Sequence, residues 1–330
     1  MQISESFIDE IFSIKSLRDF ERICLSIFNY QSRYCKVYAD FLSFLGILPE
    51  SVTSSAEIPF LPIEFFKSHN IIAENKIPQL TFTSSTSSGS IPSKHSVADL
   101  SIYEKSFMKA FQLFYGNPSD YVILALLPSY QQREGSSLIY MVNELIQCSN
   151  HPSSGYFLNE DEKLVDTIKQ LEQSGKKNIL IGVSYALLDF AEKFSLSLHH
   201  TIIMETGGMK GRRKELVKEE LHQILINRFG VSTIHSEYSM TELLSQAYSF
   251  GSGIYRCPPW MKVLVRDINE PGALLQDGRT GGINIIDLAN IYSCSFIATQ
   301  DLGKIHADGS FSVLGRFDNS DIRGCNLMVD

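Results

Sequence analysis

The stretch that decides the fold is "NILIGVSYALLDFAEKFSLSLHHTIIMETGG", residues 178–208. It begins and ends with short apolar runs, 178–183 and 201–208, and residues 183–194 between them have the apolar spacing of a helix. Short apolar runs bounded by Lys, Gly or Pro are typical of buried parallel strands. The stretch therefore predicts a strand, a helix and a second strand, which is the repeating unit of a layered α/β fold.

The same alternation extends outward on both sides of this stretch. A further strand is predicted at 121–128, and the other helical patterns cover 100–115, 136–147, 160–173 and 212–229. We therefore expect an α/β core with largely parallel sheets over residues 58–250. Three further parts complete the expected organisation: a helical lead-in at 1–57 that belongs to the core, a β-rich subdomain at 251–318, and a C-terminal tail at 319–330.

Composition excludes several classes of protein. Hydrophobic residues make up 44% and charged residues 20% of the 330 residues, which is ordinary for a globular chain. A net charge of −8 does not indicate the excess of positive charge that is typical of nucleic-acid-binding proteins. The N-terminus has no signal-peptide pattern, and no apolar run reaches the roughly 18 residues of a membrane span, so we expect a soluble cytoplasmic protein. Six scattered cysteines indicate neither a disulfide framework nor a structural metal site.

A loop rich in small hydroxyl residues, "FTSSTSSGSIPSKH" at 82–95, is the first candidate site. Ser and Thr side chains with a glycine allow a loop to wrap closely around a phosphate chain, and the lysine adds a positive charge. A flexible serine-rich linker has the same composition, so both interpretations remain open.

Three short motifs follow further along the chain. In "EYSMTE" (237–242), a Thr-Glu pair after a strand could place a hydroxyl on a phosphate and a carboxylate on Mg²⁺, or it could be a capping threonine beside a surface glutamate. "TQDLG" (299–303) and "LGRFDNSD" (314–321) each put an aspartate or an arginine in a turn after a strand. Asp301 could bind both hydroxyls of a ribose, with an Asx-turn or a surface salt bridge as the alternatives.

The order of these motifs resembles the adenylate-forming superfamily of acyl- and aryl-CoA ligases, luciferases and peptide-synthetase adenylation domains. The resemblance runs from about residue 80 to 323. Within it, "FLPIEFFKSH", "PSYQQREGSSLIYMV", "LIGVSYALLDF", "TGGMKGRRKE" and "RGCNL" are most similar to the LuxE group of acyl-protein synthetases. The resemblance to that group implies that the small C-terminal lid domain of the wider superfamily is absent.

The resemblance implies a set of ATP-binding residues. Those that would surround the phosphates are Ser84, Ser85, Ser87, Ser88, Gly89 and Lys94. Those that would contact adenine and ribose are Thr206, Gly207, Gly208, Tyr238, Ser239, Asp301 and Arg316. Thr241 would hold the α-phosphate and Glu242 the Mg²⁺ ion.

The resemblance also implies the chemistry. We expect ATP to activate a carboxylic acid, with a fatty acid as the implied substrate, as an acyl-adenylate, and the acyl group then to pass to the thiol of Cys325 near the C-terminus. Neighbouring Arg323 would favour the thiolate, which is the attacking species. An acyl reductase is the implied acceptor. Two alternatives remain: a ligase that uses coenzyme A or another small acceptor, and a nucleotide-binding subunit without catalytic activity.

Single residues outside the motifs are harder to interpret. Tyr130, in the loop after the strand at 121–128, and His235 could line an acyl pocket, because ligands of open α/β sheets bind beyond the carboxyl ends of the strands. A lone histidine such as His95 is more often structural. Ser184 lacks the spacing of a nucleophile elbow, and we expect it to cap a helix.

Overall fold

The computed structural model describes residues 3–85, 91–207 and 216–317. Its α-helices are α1 (Glu5–Ile11), α2 (Leu17–Tyr34), α3 (Lys36–Phe44), α4 (Phe65–Ser68), α5 (Leu100–Tyr115), α6 (Ser137–Ser149), α7 (Asp161–Ser174), α8 (Ser184–Lys193) and α9 (Lys218–Phe229). The strands are β1 (Leu61–Pro62), β2 (Leu80–Thr83), β3 (Lys94–Val97), β4 (Val122–Leu126), β5 (Gly155–Tyr156), β6 (Asn178–Val183), β7 (Thr201–Thr206), β8 (His235–Tyr238), β9 (Ala247–Ser249), β10 (Ile254–Arg256), β11 (Met261–Arg266), β12 (Gly281–Asp287), β13 (Phe296–Ile305) and β14 (Phe311–Arg316).

One large sheet organises the molecule. Its strand order is β11-β12-β13-β14-β10-β9-β8-β7-β6-β4-β5, with β1 added beside β13. The strands β5, β4, β6, β7 and β8 are parallel, and the strands from β9 to β11 pair in antiparallel fashion. The predicted α/β class is therefore confirmed, and the parallel half contains the strand–helix–strand unit from which the prediction started.

The β-rich segment continues the same sheet, because β10 joins β9 on one side and β14 on the other. Local sequence patterns could not reveal this continuity, which depends on pairing between distant strands. The expectation that Asp301 and Arg316 each lie in a turn after a strand was wrong. Asp301 lies inside the ten-residue strand β13, opposite Arg316, which is the last residue of β14.

The N-terminal helices pack against the antiparallel half of the sheet. Phe28 of α2 and Tyr38 of α3 contact the ring of Phe296 at the start of β13, with centroids 6.0 and 5.9 Å away. The buried apolar residues of α2, among them Phe20, Ile23, Cys24, Ile27 and Phe28, are spaced three or four apart, which gives the helix one apolar face. Within the described ranges, no helix is long and apolar enough to cross a membrane.

Candidate functional site

The candidate site lies where β7 and β8 end at the carboxyl edge of the parallel strands. The two strands run side by side in register, with Thr206 opposite Glu237, so the residues that follow them emerge next to each other. Gly207 follows β7 with a φ of +63°, a left-handed conformation that favours glycine, and it turns the chain away from the sheet. Such an edge is where open α/β sheets bind ligands.

Three residues that are distant in sequence meet at this edge. The hydroxyl of Tyr238, the last residue of β8, donates to Asp301 Oδ2 at 2.8 Å. Arg316 Nε lies 3.3 Å from Asp301 Oδ1. Asp301 and Arg316 are directly opposed across β13 and β14, so strand register alone brings this pair together. The structure thus assembles the tyrosine, aspartate and arginine that the motifs singled out.

Asp301 and Arg316 differ sharply in exposure. The Asp301 side chain is 8% exposed, whereas that of Arg316 is 68% exposed. Burial raises the pKa of Asp301, and the charge of Arg316 and the hydrogen bond from Tyr238 act against that rise. The buried aspartate is thus fixed in position, while the arginine reaches it from solvent.

The ring of Tyr238 packs into the sheet beside this pair. Its centroid lies 5.7 Å from that of Tyr255 and 5.6 Å from that of Phe311, and the residue is 9% exposed. These contacts fix the ring plane, which is a requirement for stacking on a base.

Thr241 and Glu242 lie in the turn after β8, and buried polar groups hold the backbone of both residues. His95 Nδ1 donates to the Thr241 carbonyl oxygen at 2.9 Å, since a carbonyl can only accept. Asn290 Nδ2 donates to the Glu242 carbonyl oxygen at 2.7 Å. The half-buried Thr241 is therefore presented by a rigid turn.

The Glu242 carboxyl group is nearly enclosed, with the residue 6% exposed. Burial raises its pKa, and a hydrogen bond from Ser93 and the charges of Arg316 and Lys67 act in the opposite direction. No group of three or more His, Cys, Asp or Glu residues that could hold a metal ion occurs in the part of the chain that the structure describes. A metal bound at Glu242 would therefore take most of its ligands from a substrate or from water.

A buried aspartate anchors the far end of the same turn. Asp287 accepts hydrogen bonds from the backbone N–H groups of Leu244 and Ser245, at 2.7 and 3.0 Å, and from the Ser245 hydroxyl at 2.5 Å. Burial raises its pKa to about 6 despite these bonds. Asp287 fixes the path of the chain that leaves the Thr-Glu pair.

The serine-rich loop approaches the site from the β2–β3 hairpin. Ser84 and Ser93 close the hairpin: Ser84 N donates to the Ser93 carbonyl at 3.0 Å, and Ser93 N donates to Ser84 Oγ at 2.9 Å. Ser85 is exposed, and Ser87, Ser88, Gly89, Gly208 and Cys325 lie outside the described residues. Lys94 is exposed between the buried residues Ser93 and His95, so it faces away from the side on which those two contact the Thr241–Glu242 turn. Its assignment to the phosphates stays a prediction.

The two faces of β7 carry different chemistry. Thr206 donates its hydroxyl to Glu237 on one face. On the other face, Glu205 is paired with Lys218 at 2.5 Å and lies 3.5 Å from His222. Burial alone would raise the pKa of Glu205, but His222 and Lys218 outweigh burial and bring it to about 2. This ion pair ties the start of α9 to the strand that ends at Gly207.

The expectation for Ser184 was wrong. Ser184 is the first residue of α8, the cap position is Val183, and no side chain caps the helix. The Ser184 hydroxyl instead lies 3.0 Å from the carbonyl oxygen of Gly207 and 3.1 Å from Glu205 Oε2. These partners come from a neighbouring strand, which a local pattern cannot include.

Tyr130 and His235 occupy separate places. The Tyr130 ring contacts Tyr140 at 6.1 Å, near the start of α5. His235 contacts Tyr115, at the end of α5, with its Nδ1 3.1 Å from the tyrosine hydroxyl. Burial lowers the pKa of His235 to about 4. The structure does not bring the two residues together, and their roles in an acyl pocket stay predictions.

Several site residues lie outside the sequence motifs. Asn290 and Asp287 act through the backbone of the Thr-Glu turn from more than 40 residues away in the chain. His95 stood beside a candidate loop, but only the packing of the hairpin reveals its contact with Thr241. A buried position for a polar residue within an apolar run is the one sequence signal that could have identified Asn290 and Asp287.

Sequence and structure comparisons with known proteins show which fold this chain has. No protein-family model and no curated protein matches the sequence. ATP-bound MatB from Rhodopseudomonas palustris is similar in structure, with a TM-score of 0.55 and 17% identity over 72% of this chain and 47% of that chain. An open conformation of 2-hydroxyisobutyryl-CoA ligase in complex with 2-HIB-AMP and CoA has a TM-score of 0.65 and 13% identity over 92% of this chain and 71% of that chain.

The same ligase in the postadenylation state matches with a TM-score of 0.65 and 12% identity, covering 97% of this chain and 72% of that one. The chain spans about half the length of the MatB structures it matches. The likeness shows that this chain has the fold of the core of adenylate-forming enzymes.

Proposed function

We propose that the protein uses ATP to activate a carboxylic acid as an acyl-adenylate. The observation that carries the proposal is the convergence of Tyr238, Asp301 and Arg316 beside the Thr241–Glu242 turn. These residues come from three separate motifs, and random surface residues would have no reason to meet at the ligand-binding edge of a parallel sheet. The fold, which is that of the core of adenylate-forming enzymes, supports the same interpretation.

Each residue has a role that its environment suits. Tyr238 offers a fixed ring for adenine, and Asp301 with Arg316 offers a carboxylate and a guanidinium for the ribose hydroxyls. Because Arg316 is mostly exposed, it can move aside for the sugar. Thr241 offers a hydroxyl to the α-phosphate, and Ser84 and Ser85 begin the loop that would follow the remaining phosphates.

Glu242 is the residue that would hold Mg²⁺. Mg²⁺ is commonly bound in proteins through one or two carboxylates, with water and substrate phosphates completing its shell, so the Glu242 carboxylate fits this ion. When bound, the ion would neutralise phosphate charge. The rigid turn held by His95 and Asn290 keeps the carboxylate at one position.

The first step needs no protein nucleophile. A carboxylate oxygen of the acid attacks the α-phosphorus of ATP, the bond from that phosphorus to the bridging oxygen breaks, and pyrophosphate leaves. The protein contributes by holding the two reactants in line and by stabilising the charge that builds on the phosphate.

The second step transfers the acyl group to a thiol, and we infer that Cys325 supplies it. The thiolate sulfur attacks the acyl carbon, the bond from that carbon to the phosphate oxygen breaks, and AMP leaves. The thiol proton is lost to solvent before attack. In this scheme the acid is a fatty acid and an acyl reductase receives the acyl group from Cys325.

The adenylation step is tested by carboxylate-dependent exchange of labelled pyrophosphate into ATP. We expect exchange in the native protein and a loss of at least about tenfold in Asp301→Asn, because the neutral amide no longer attracts Arg316 or the ribose hydroxyls in the same way. Asp308→Asn is the matched control, since Asp308 is an aspartate paired with Arg256 on the surface. ATP binding without exchange for any acid would instead identify a nucleotide-binding subunit.

The transfer step is tested by intact mass after incubation with Mg²⁺, ATP and the acid. We expect a hydroxylamine-labile acyl adduct in the native protein and none in Cys325→Ser. Cys148→Ser is the control, because Cys148 is an exposed cysteine elsewhere on the molecule. An undiminished adduct in Cys325→Ser contradicts the proposed acceptor, and full product formation by that variant with coenzyme A would identify a small-molecule ligase.

A further inference from the structure

Two of the buried polar atoms that lack a hydrogen-bond partner among the described residues belong to the neighbouring strands β8 and β9 beside the proposed site. They are Glu237 Oε1 and Tyr248 Oη, on residues that are 3% and 1% exposed. A third such atom, Gln246 Oε1, lies two residues before Tyr248 in the chain. Burying a polar group without a partner costs about 1–3 kcal/mol, so such groups usually have a function.

The two atoms belong to one place in the sheet. Glu237 of β8 and Tyr248 of β9 are directly opposed across the antiparallel pair, so their side chains share a face. This is the face on which Thr206 donates to Glu237. It is opposite to the face on which Glu205 binds Lys218. Glu237 also directly precedes Tyr238, so it is one residue from the proposed adenine contact.

Helix α5 covers this face: the rings of Phe114 and Tyr115 contact that of Tyr248, with centroids 5.3 and 5.4 Å away. Tyr103 of α5 contacts Phe82 and Tyr140, with centroids 5.4 and 5.9 Å away. Tyr140 in turn contacts Tyr130. Phe82 lies in β2, three residues before Ser85 and the serine-rich loop. Tyr103 is also close enough to Glu237 for the two groups to interact electrostatically, so this aromatic cluster connects the start of the serine-rich loop with the buried face that holds Glu237.

The unpaired atoms define what can bind between them. Thr206 donates to Glu237 Oε2 and the Ser239 hydroxyl also acts on this carboxylate, which leaves Oε1 as its remaining acceptor. The Tyr248 hydroxyl can accept or donate. Lys218, the cation that acts on Glu237, is bound to Glu205 on the other face. A ligand hydroxyl or ammonium satisfies both atoms, and an alkyl chain satisfies neither.

We propose that Glu237 and Tyr248 bind a polar group of the carboxylic acid and that the protein prefers acids with a hydrogen-bond donor, a hydroxyl or an ammonium, over plain alkyl acids. This inference rests on the proposed function, and it narrows the acid from a fatty acid to a substituted one. Burial raises the pKa of Glu237, which suits a hydroxyl, because a hydroxyl can pair with either protonation state of the carboxyl group.

The test compares butanoate and octanoate with their α- and ω-hydroxy and α- and ω-amino derivatives. Pyrophosphate exchange gives kcat/KM for each acid, and calorimetry with the full chain in the presence of AMP gives binding. We expect at least about a tenfold preference for one donor-bearing acid, because a site built for a hydroxyl or N–H group rejects an analogue without it. The hydroxy and amino arms identify which donor is used.

The variants assign the preference to these two residues. Glu237→Gln and Tyr248→Phe should each reduce the ratio of donor-bearing to alkyl acid by about tenfold or more, while KM for ATP stays within about twofold. The control is Tyr38→Phe. It removes the hydroxyl of another fully buried tyrosine, which lies in α3 and donates to the Pro59 carbonyl. If one site variant fails to fold, the other still measures the preference.

The outcomes separate the two proposals. Exchange with alkyl acids as efficient as with donor-bearing acids, unchanged in both variants, overturns this inference and leaves the proposed adenylation intact. Absence of exchange with every acid overturns adenylation. In that case, binding of donor-bearing acids that weakens in Glu237→Gln supports the inference, and equal binding of alkyl acids overturns it.

Discussion

His95 illustrates how one residue can control the site without contacting a ligand. It is fully buried, its Nδ1 donates to the Thr241 carbonyl, and its ring packs edge-on against Phe66 at 5.6 Å. Burial lowers its pKa to about 4, so the ring is neutral near pH 7. A neutral donor at this point fixes Thr241 without adding a charge next to the phosphates.

The first prediction concerns His95 and pH. Below its ordinary pKa of 6.5 the residue is protonated in the unfolded chain but stays neutral in the folded protein down to about pH 4. The unfolded state then binds more protons, so the free energy of unfolding falls as pH falls through this window. His95→Asn keeps a donor near the Nδ1 position. For this variant we expect the free energy of unfolding, measured by urea denaturation, to fall less steeply between pH 6.5 and 4.

The comparison isolates His95 from other groups. Asp287, whose raised pKa acts in the opposite direction, and His235, whose pKa is also lowered, are present in both proteins. His95→Leu serves as the second variant, and it should lose about 1–3 kcal/mol at pH 7 because the Thr241 carbonyl is left without its donor. Identical pH profiles for the native protein and His95→Asn would contradict the assignment.

At the residue scale, the site residues that belong to short motifs could be predicted from the sequence. Tyr238, Asp301 and Arg316 were predicted because the order of the motifs resembles that of adenylate-forming enzymes, and the structure brings the three residues together. Glu237 stood inside the same motif and attracted no attention, since its importance arises from an unpaired atom facing β9. Such a property exists only after the strands have paired.

At the element scale, β13 and β14 determine the Asp301–Arg316 pair. Their pairing shifts register between Leu302 and Gly303, next to the aspartate. A β-bulge of this kind redirects neighbouring side chains. Gly303, the glycine of the "TQDLG" motif, lies at this shift, so its role is steric: it allows β13 and β14 to pair closely.

The second prediction is that Gly303→Ala disrupts this strand pair. A Cβ atom at Gly303 would overlap the Ser312 carbonyl oxygen of β14 and lie 2.6 Å from Ile283 Cδ1. The backbone oxygen cannot move aside without separating the strands. We expect the free energy of unfolding to fall by about 1–3 kcal/mol or more and the affinity for ATP to be lower than in the native protein.

Gly272→Ala is the matched control for this variant. Nothing lies within 4 Å of a Cβ at Gly272, and its conformation is open to other residues, so its stability should change by no more than about 0.5 kcal/mol. Chemical denaturation and calorimetric ATP titration measure both effects. A Gly303→Ala protein as stable as Gly272→Ala would show that the strand pair tolerates the methyl group.

Element types were largely predictable, whereas their pairing was not. Helix α5 covers the predicted residues 100–115, and β6 covers the predicted residues 178–183, because periodicity is a local property. The β-rich segment was expected as a subdomain of the core, and its strands extend the central sheet. The pairing of β9 with β10 is decided by long-range packing that no short window of sequence contains.

At the scale of the whole molecule, one buried glutamine links the N-terminal helices to the site. Gln31 of α2 donates through Nε2 to the carbonyls of Asn290 and Ile291, at 2.9 and 3.0 Å, and accepts from the backbone N–H of Ser295. Asn290 in turn holds the Glu242 carbonyl. The N-terminal helices are therefore part of the support of the site.

The third prediction is that Gln31→Leu lowers stability and weakens ATP binding together. Loss of the amide removes the Gln31 bonds to the Ile291 carbonyl and the Ser295 N–H and leaves the Asn290 carbonyl only the Ser293 N–H, which should lower the free energy of unfolding by about 2–4 kcal/mol. Gln223→Leu on α9 is the control, because Gln223 is exposed and bonds only to Asn227 among the described side chains. Equal stability of the two variants would argue against this linkage.

The position of Phe317 has a kinetic consequence for the proposed transfer. Phe317 follows Arg316 directly, its N–H donates to the Gln300 carbonyl at 2.9 Å, and the Arg266 guanidinium lies over its ring. Cys325 comes eight residues later, so covalent geometry keeps its thiol within roughly 30 Å of this anchor. A tether this short confers an effective concentration on the order of millimolar. Acylation of Cys325 would then follow first-order kinetics independent of protein concentration, and a free thiol would compete only when its own concentration approached that of the tethered one.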